Sequence, residues 1–276
     1  MKLSMASRYF DRTTGSDAYD QRSTFKCQIE PFDYVKIDGA SVKRRVMSTA
    51  PGVSLPARKV IDIHGQRYLV GDASEDHWND ASIRKRYVLQ GADHSVTVLT
   101  IADILAGRPG LPCYATLDFN KYGTDERDNS DYHQQYHAFF GGGESVPEGS
   151  VIKLKDRYFL VRSSYVSLAG LVDALSNELD GPVEDTATFT SRTHDPLTDS
   201  FSETSTSVRC MRVRWQERFQ YLTLNSPDYE RNDVQAFIDN GYAVKAGDEV
   251  ALSDGMWRVL AVTVRPSYTE AHLRLK

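Results

Sequence analysis

Three stretches of the chain repeat one arrangement of apolar and polar positions. They are Leu55-Pro-Ala-Arg-Lys-Val-Ile-Asp-Ile63, Val146-Pro-Glu-Gly-Ser-Val-Ile-Lys-Leu154 and Val244-Lys-Ala-Gly-Asp-Glu-Val-Ala-Leu252. Each is an apolar residue, a short polar turn, and a strand that ends in two apolar residues spaced by one. A second polar turn follows in each copy, then a strand led by an aromatic residue: Tyr68-Leu-Val70, Tyr158-Phe-Leu-Val161 and Trp257-Arg-Val-Leu260. Runs of period-two spacing joined by Gly- or Asp-containing turns predict β-hairpins. The copies begin 91 and then 98 residues apart. That period is too long for a solenoid and suits small β-domains, or one β-module with insertions.

The same alternation predicts strands elsewhere. Thr24–Glu30 alternates, and Tyr34–Ile37, Asp38-Gly39 and Ser41–Val46 read as a hairpin on a type I′ turn. Ser74–Asp80 reads as an acidic loop, and Ile83–Gln90 suits either a strand or a short helix. Ser95–Leu99 predicts a strand running into a helix at Ile101–Ala106 that stops at Gly107. Leu168, Leu171, Val172 and Leu175 fall at helical spacing, and Val234–Ile238 reads as a helical turn. Gly141–Gly143 reads as a hinge. The expected fold is mainly β: two or three small β-barrel or sandwich modules with long loops and few short helices. The boundaries expected are an extended polar arm at 1–22, a β-module at 23–110, a second with a short helix at 111–180, a Ser/Thr/Asp-rich polar loop at 181–207, and a third module at 208–276. The modules remain open to merging into one compound domain.

Composition adds little to this. Apolar content of 40% and charged content of 26% are those of an ordinary globular protein. A net charge of -5 gives no global reason to expect nucleic-acid binding, although a local basic patch stays possible on that ground. The three cysteines, Cys27, Cys113 and Cys210, each sit in a strand-like run and read as small buried residues in a reducing compartment. Their positions ahead of the three hairpins extend the repeat upstream by one strand. The first residues hold no apolar segment of signal-peptide length, and no window approaches eighteen apolar residues. The expectation is a protein that stays in the cytoplasm of its producing cell and does not enter a membrane.

Candidate chemistry is sparse. His133 and His137 are spaced like zinc ligands on a helix, but Gln134 stands where a catalytic glutamate would follow the first histidine. His77 and His194 have acidic neighbours and no nucleophile elbow. Neither a dinucleotide nor a P-loop glycine motif occurs. Tyr68, Tyr158 and Trp257 recur after the hairpin turns and could stack on bases, though a repeated position is more often core. Lys43, Arg44 and Arg45 form a small basic cluster, the candidate contact for nucleic acid or a partner. No catalytic, cofactor or metal residue is assigned, and no cofactor is expected.

The stretch from Val244 to Val262 has the form apolar, Gly-Asp, x-Val, a short Gly-containing turn, x-aromatic-x-Val. It resembles the SH3-like and related small barrels of tailed-phage head–tail connector, or head-closure (neck), proteins. The resemblance implies a non-enzymatic virion structural protein that forms a homo-oligomeric ring. Its implied partners are portal, connector or tail subunits, and DNA would pass without sequence-specific binding. It would act in the virion after assembly in the host cytoplasm. The alternatives from other classes are a tandem small-barrel module that binds nucleic acid or peptide through Lys43, Arg44 and Arg45, and a metal-dependent hydrolase centred on His133 and His137.

Overall fold

Each repeated hairpin forms, and each sits at the same place in the same circuit of strands. The structure is a computed structural model that describes residues 16–19, 24–31, 33–37, 40–55, 60–118, 135–179, 182–197, 199–214 and 232–276. The first module holds β1 (Ser16–Tyr19), β2 (Thr24–Ile29), β3 (Asp33–Ile37), β4 (Ala40–Thr49), β5 (Val60–Ile63), β6 (Gln66–Trp78) and β7 (Ala81–Gly91). The second holds β8 (His94–Thr100), helix α1 (Ile101–Ala106), β9 (Leu111–Asp118), β10 (Gln135–Phe140), β11 (Ser150–Leu154), β12 (Arg157–Val166) and β13 (Val172–Glu178). The third holds β14 (Val183–Asp195), β15 (Ser200–Arg214), β16 (Val234–Ile238), β17 (Glu249–Leu252), β18 (Gly255–Val264) and β19 (Thr269–Leu275).

Modules 2 and 3 are closed six-stranded barrels, ordered β10-β13-β12-β11-β8-β9 and β14-β15-β16-β19-β18-β17. Counted along the chain, the two circuits are identical: first strand with second, second with third, third with sixth, sixth with fifth, fifth with fourth, fourth with first. Module 1 is a seven-stranded sheet in which β4 also pairs with β2. Setting aside the inserted β3, its pairings trace that circuit too. The likeness extends to register. The fifth and sixth strands of every module slip by a β-bulge after Val70, Val161 or Val259, three equivalent residues. A bulge bends a strand and raises its local twist, which curls each sheet round its own core.

Period-two alternation supplies those cores. Inside module 1 lie Cys27, Met47, Ile61, Ile63, Tyr68, Val70, Tyr87 and Leu89. Inside module 2 are Val96, Cys113, Ala115, Tyr136, Phe140, Ile152, Phe159 and Val161, and inside module 3 Phe189, Cys210, Ile238, Val250, Trp257, Val259 and Leu273. The three cysteines are buried thiols on the second strand of their modules. The recurring core aromatic is Tyr68, Phe159 and Trp257, paired with Gly91, Glu178 and Leu275. Tyr158, one residue away, points to the outside of its barrel and packs against a neighbouring module.

Several expected boundaries are corrected. β8 and α1 belong to module 2, so the first division falls near residue 92 and not between 110 and 111. Part of the expected N-terminal arm, Ser16–Tyr19, is a strand paired with β2 and β5. Ser74–Trp78 continues β6, and Ile83–Gln90 lies in β7. Of the polar loop expected at 181–207, residues 183–195 and 200–207 are paired strands of β14 and β15. The helices expected at 168–175 and 234–238 are a turn with β13, and β16. Both strands are buried on both faces, so alternation is hidden in them. Gly141 is buried, and the Gly142 N–H points to the Val70 carbonyl at 3.5 Å, so the glycine run is docked against module 1. The charged stretch at 120–132, His133, and Trp215, Phe219 and Tyr221 lie outside the described residues. Helix α1 is as expected: Thr100 and Asp103 form a capping box, and Gly107 closes it. Among the described residues, no helix is long and apolar enough to cross a membrane.

Candidate functional site

Among the described residues, two buried polar groups lie where modules meet. Alternation gives each barrel two outward faces. One, the receiving face, is the outside of the fourth and fifth strands with the bulge. The other, the docking face, is the outside of the third and sixth strands with the turn that leads into the sixth. Each later module sets its docking face on the receiving face of the module before it.

At the seam between modules 1 and 2, Leu69 meets Phe139 and Leu171, flanked by Val60, Ala92 and Tyr114. The Arg67 guanidinium lies 4.5 Å from the centre of the Tyr114 ring, a cation–π contact. The Asp72 N–H donates to the Ala169 carbonyl at 2.8 Å. A Cβ on Gly71 would collide with that carbonyl, and one on Gly170 with Asp72. At the seam between modules 2 and 3, Val151 and Leu160 occupy the places of Val60 and Leu69. They join Ile101, Ile104 and Leu105 of α1, and Met211, Val213, Phe237 and Tyr268 of module 3.

Each seam also buries one carboxylate at the equivalent register position. In module 2 it is Asp173, which pairs across the strand with Phe139. His137 Nδ1 lies 3.0 Å from Asp173 Oδ1, and the Tyr165 hydroxyl donates to Oδ2 at 2.8 Å. From module 1, Arg44 feels the charge of Asp173. Burial pushes the Arg44 guanidinium down from its ordinary range, and Asp173 opposes that shift. In module 3 the carboxylate is Glu270, paired with Phe237. It accepts from Arg162 Nη1 of module 2 at 2.9 Å, from the Tyr268 hydroxyl at 3.0 Å and from Gln235 Nε2 at 3.0 Å. Burial, then the adjacent Glu270 charge, push the Tyr268 hydroxyl well above the usual phenol range. A buried charge is tolerated only when paired and hydrogen-bonded. Glu270 meets that condition through Arg162 of the preceding module, whereas Asp173 is held by His137 and Tyr165, and Arg44 of module 1 acts on it through charge alone.

The His137–Asp173–Tyr165 group has the look of an acid–base relay. Two observations assign it to the seam. Its imidazole is buried and stacks on Phe139, ring centres 5.9 Å apart, and in module 3 the position of His137 is held by Gln235, which has no acid–base chemistry. Among the described residues, no three His, Cys, Asp or Glu side chains converge as a metal would require. A third buried group, in which Asp233 accepts from His272 Nε2 at 2.8 Å and from Arg274 at 3.0 Å, lies on the outward face of β16 and β19. The Cys210 thiol is pushed up to about 12 by burial, with Asp185 adding to the effect. It is inert as a nucleophile near neutral pH.

Of the basic cluster, Arg44 and Arg45 are successive residues of β4 and so point to opposite faces. Arg44 turns to module 2, and the Arg45 guanidinium lies 6.0 Å from the centre of the Tyr68 ring. They do not form one patch, and the Lys43 side chain lies outside the described residues. Compared with protein-family models, with curated proteins and with solved structures, the chain finds no match.

Two faces remain without a module on them among the described residues. The receiving face of module 3 opens into a groove of about 640 Å³ whose lining includes Thr190, Lys245, Gly247, Glu249, Arg258 and Lys276. The docking face of module 1 carries Ser48, Arg84 and Arg86 where the later modules have Phe, Leu or Tyr, and an acid. Two hairpins project as well. β6–β7 ends in Asn79 and Asp80, both with positive φ, beside an exposed Trp78. β14–β15 runs past its barrel to Leu197 and Phe201, 94% and 69% exposed. Sequence reasoning missed the seam acids. The signal it could have used is a lone carboxylate inside an apolar strand, as in Leu171-Val-Asp-Ala-Leu175.

Proposed function

We propose that this chain is a non-enzymatic structural subunit that forms an oligomeric ring in the head–tail connector, neck or tail of a tailed phage. The observation that carries the reading is the β14–β15 hairpin. β17 covers it only at Thr188–Thr190 and β16 only at Cys210–Arg214, so the ribbon between runs free of its barrel. It is held by hydroxyl pairs, Thr188 with Ser207 and Thr190 with Ser205, and by Arg192 with Glu203. A two-stranded ribbon alone is marginally stable in water, and an apolar tip on it is suited to burial against another subunit. Fusing three β-modules through buried seams gives the rigidity that a ring component needs. The Val244–Val262 hairpin carries the resemblance to connector barrels. Net charge of -5 favours a channel along which DNA slides, since basic contacts would hold phosphates. A nucleic-acid module built on Lys43, Arg44 and Arg45 is less well served, because Arg44 and Arg45 lie on opposite faces.

The test is negative-stain electron microscopy with light-scattering mass. Closed rings of uniform symmetry, with a mass that is a whole multiple of 31.1 kDa, are the expected result, and a Leu197→Ser, Phe201→Ser double variant is expected to weaken them. A monomer at every concentration, alone and mixed with portal or tail subunits, would overturn the reading.

A further inference from the structure

The two internal seams define how one module of this chain holds the next, and the two outer faces carry matching halves of that joint. Gly149 and Gly247 are equivalent residues. Each has positive φ, 82° and 96°, and each donates its N–H to the equivalent bulge residue, Val161 or Val259. Left-handed backbone favours glycine in both. Their surroundings differ. A Cβ on Gly149 would lie 2.5 Å from Ser267 Oγ and 2.7 Å from the Tyr268 ring, because the β18–β19 turn of module 3 presses on it. Around Gly247 nothing lies within 4 Å, and the residue lines the module 3 groove. In modules 2 and 3 the turn into the sixth strand is the part that grips the preceding module, at Ala169–Gly170 and at Ser267–Tyr268. In module 1 the equivalent element is the β6–β7 hairpin. It runs eight residues from the bulge residue Val70 to Trp78, against five from Val161 to Val166 and five from Val259 to Val264. The extra residues add a reach of about 10 Å. They place Trp78, 69% exposed, and Ile83 near the tip.

We propose that copies of this chain join head to tail, with the β6–β7 hairpin of one copy seated in the module 3 groove of the next. The inference rests on the assembly reading above and supplies its contact. The joint is the internal seam rebuilt in polar residues. Glu249 and Arg258 stand where module 2 has Val151 and Leu160. The hairpin brings Arg84, Lys85 and Arg86, laced to Glu75 and Asp76. Permanent interfaces are apolar, whereas surfaces that must also survive alone in water are more polar. Trp78 serves as the aromatic anchor, and the surrounding charges make the joint sensitive to salt. Such a contact is heterologous, so it closes into a ring when the rotation between copies closes.

Sedimentation velocity on the full chain, at low and high salt, reads the joint directly with two variants, Trp78→Glu and Lys245→Glu. Both residues are exposed, and an unchanged Tm checks that each variant folds. Wild type is expected to assemble with rising concentration, and less so in high salt. Each variant alone is expected to associate at least tenfold more weakly. An equimolar mixture of the two is expected to form dimers and nothing larger, because each keeps one intact half of the joint. If the variants assemble as wild type does, the joint lies elsewhere, and the inference fails while the assembly reading stands. If wild type remains monomeric throughout, alone and with particle subunits, both fail.

Discussion

The seam between modules 1 and 2 and the seam between modules 2 and 3 share a plan and differ in mass. Both set an aromatic, Phe139 or Phe237, and a buried acid, Asp173 or Glu270, against the outward leucine of the preceding barrel, Leu69 or Leu160. In the first seam the fully buried apolar part is Leu69, Phe139 and Leu171. In the second it is ten residues, three of them from α1. The short helix between the first two strands of module 2 supplies three of those residues, and β15, β16 and the turn into β19 supply four more. The difference predicts that modules 2 and 3 unfold as one cooperative unit, to which module 1 is attached by a smaller patch, two backbone-level fits and a polar group.

The comparison can be broken most forcefully at the acids. Glu270→Ala leaves Arg162 buried without its carboxylate, and a loss of about 3–5 kcal/mol is expected. Urea unfolding measures it, and an Arg162→Met, Glu270→Leu pair should recover most of the loss. Next come the aromatics. Phe237→Ala and Phe139→Ala should each cost about 3 kcal/mol or more. The first should lower a single transition of modules 2 and 3, whereas the second should release module 1 first. Hydrogen exchange by mass spectrometry separates the two results, and a common transition for both variants would refute the division. A finer probe is the pair Gly149→Ala and Gly247→Ala. Both meet the cost of left-handed backbone, about 1 kcal/mol. Only Gly149→Ala also meets Ser267 and Tyr268, adding about 1–3 kcal/mol of overpacking. Equal losses in the isolated chain would mean that this turn does not press on module 2.

The smallest effect is a pH dependence. Burial, opposed by Asp233 and aided by Arg274, lowers the His272 pKa from its ordinary 6.5. The unfolded chain therefore binds the proton more readily than the folded one. Stability from this group is complete above about pH 6.5 and is lost as the pH falls below it. A His272→Gln variant should show a shallower loss of Tm between about pH 6.5 and pH 5 than wild type does.

Much of the fold was legible in the sequence because its cores obey period two. The three hairpins, the cysteine strands and α1 all follow from alternation, turn residues and caps. What stayed hidden has a common cause. Residues 172–178 and 234–238 bury both faces, one in a barrel and one in a seam. Their apolar residues no longer alternate, and Leu168, Leu171, Val172 and Leu175 imitate a helix. In fact Leu168 lies fully exposed in a turn. The β14–β15 arm imitates a loop for the opposite reason: its strands are joined by Ser and Thr hydroxyls, with few apolar residues to set a period. Of the candidate sites, Lys43, Arg44 and Arg45 were visible as a cluster, but a cluster along a strand is divided between two faces. The matched glycines at 149 and 247 stood in the repeat from the start. That one of them is pressed by the next module depends on packing between modules and has no trace in local spacing.

The direction in which the seam charges are supplied has a consequence for synthesis. The strands of each module come from one contiguous stretch, so module 1 can complete its pairings before the ribosome has made module 2. Its Arg44 then waits for Asp173, which is encoded 129 residues later, and Arg162 waits likewise for Glu270. Modules 1 and 2 thus each present a cation that meets the charge of a seam acid in the next module. The chain should therefore dock its barrels in the order in which they emerge.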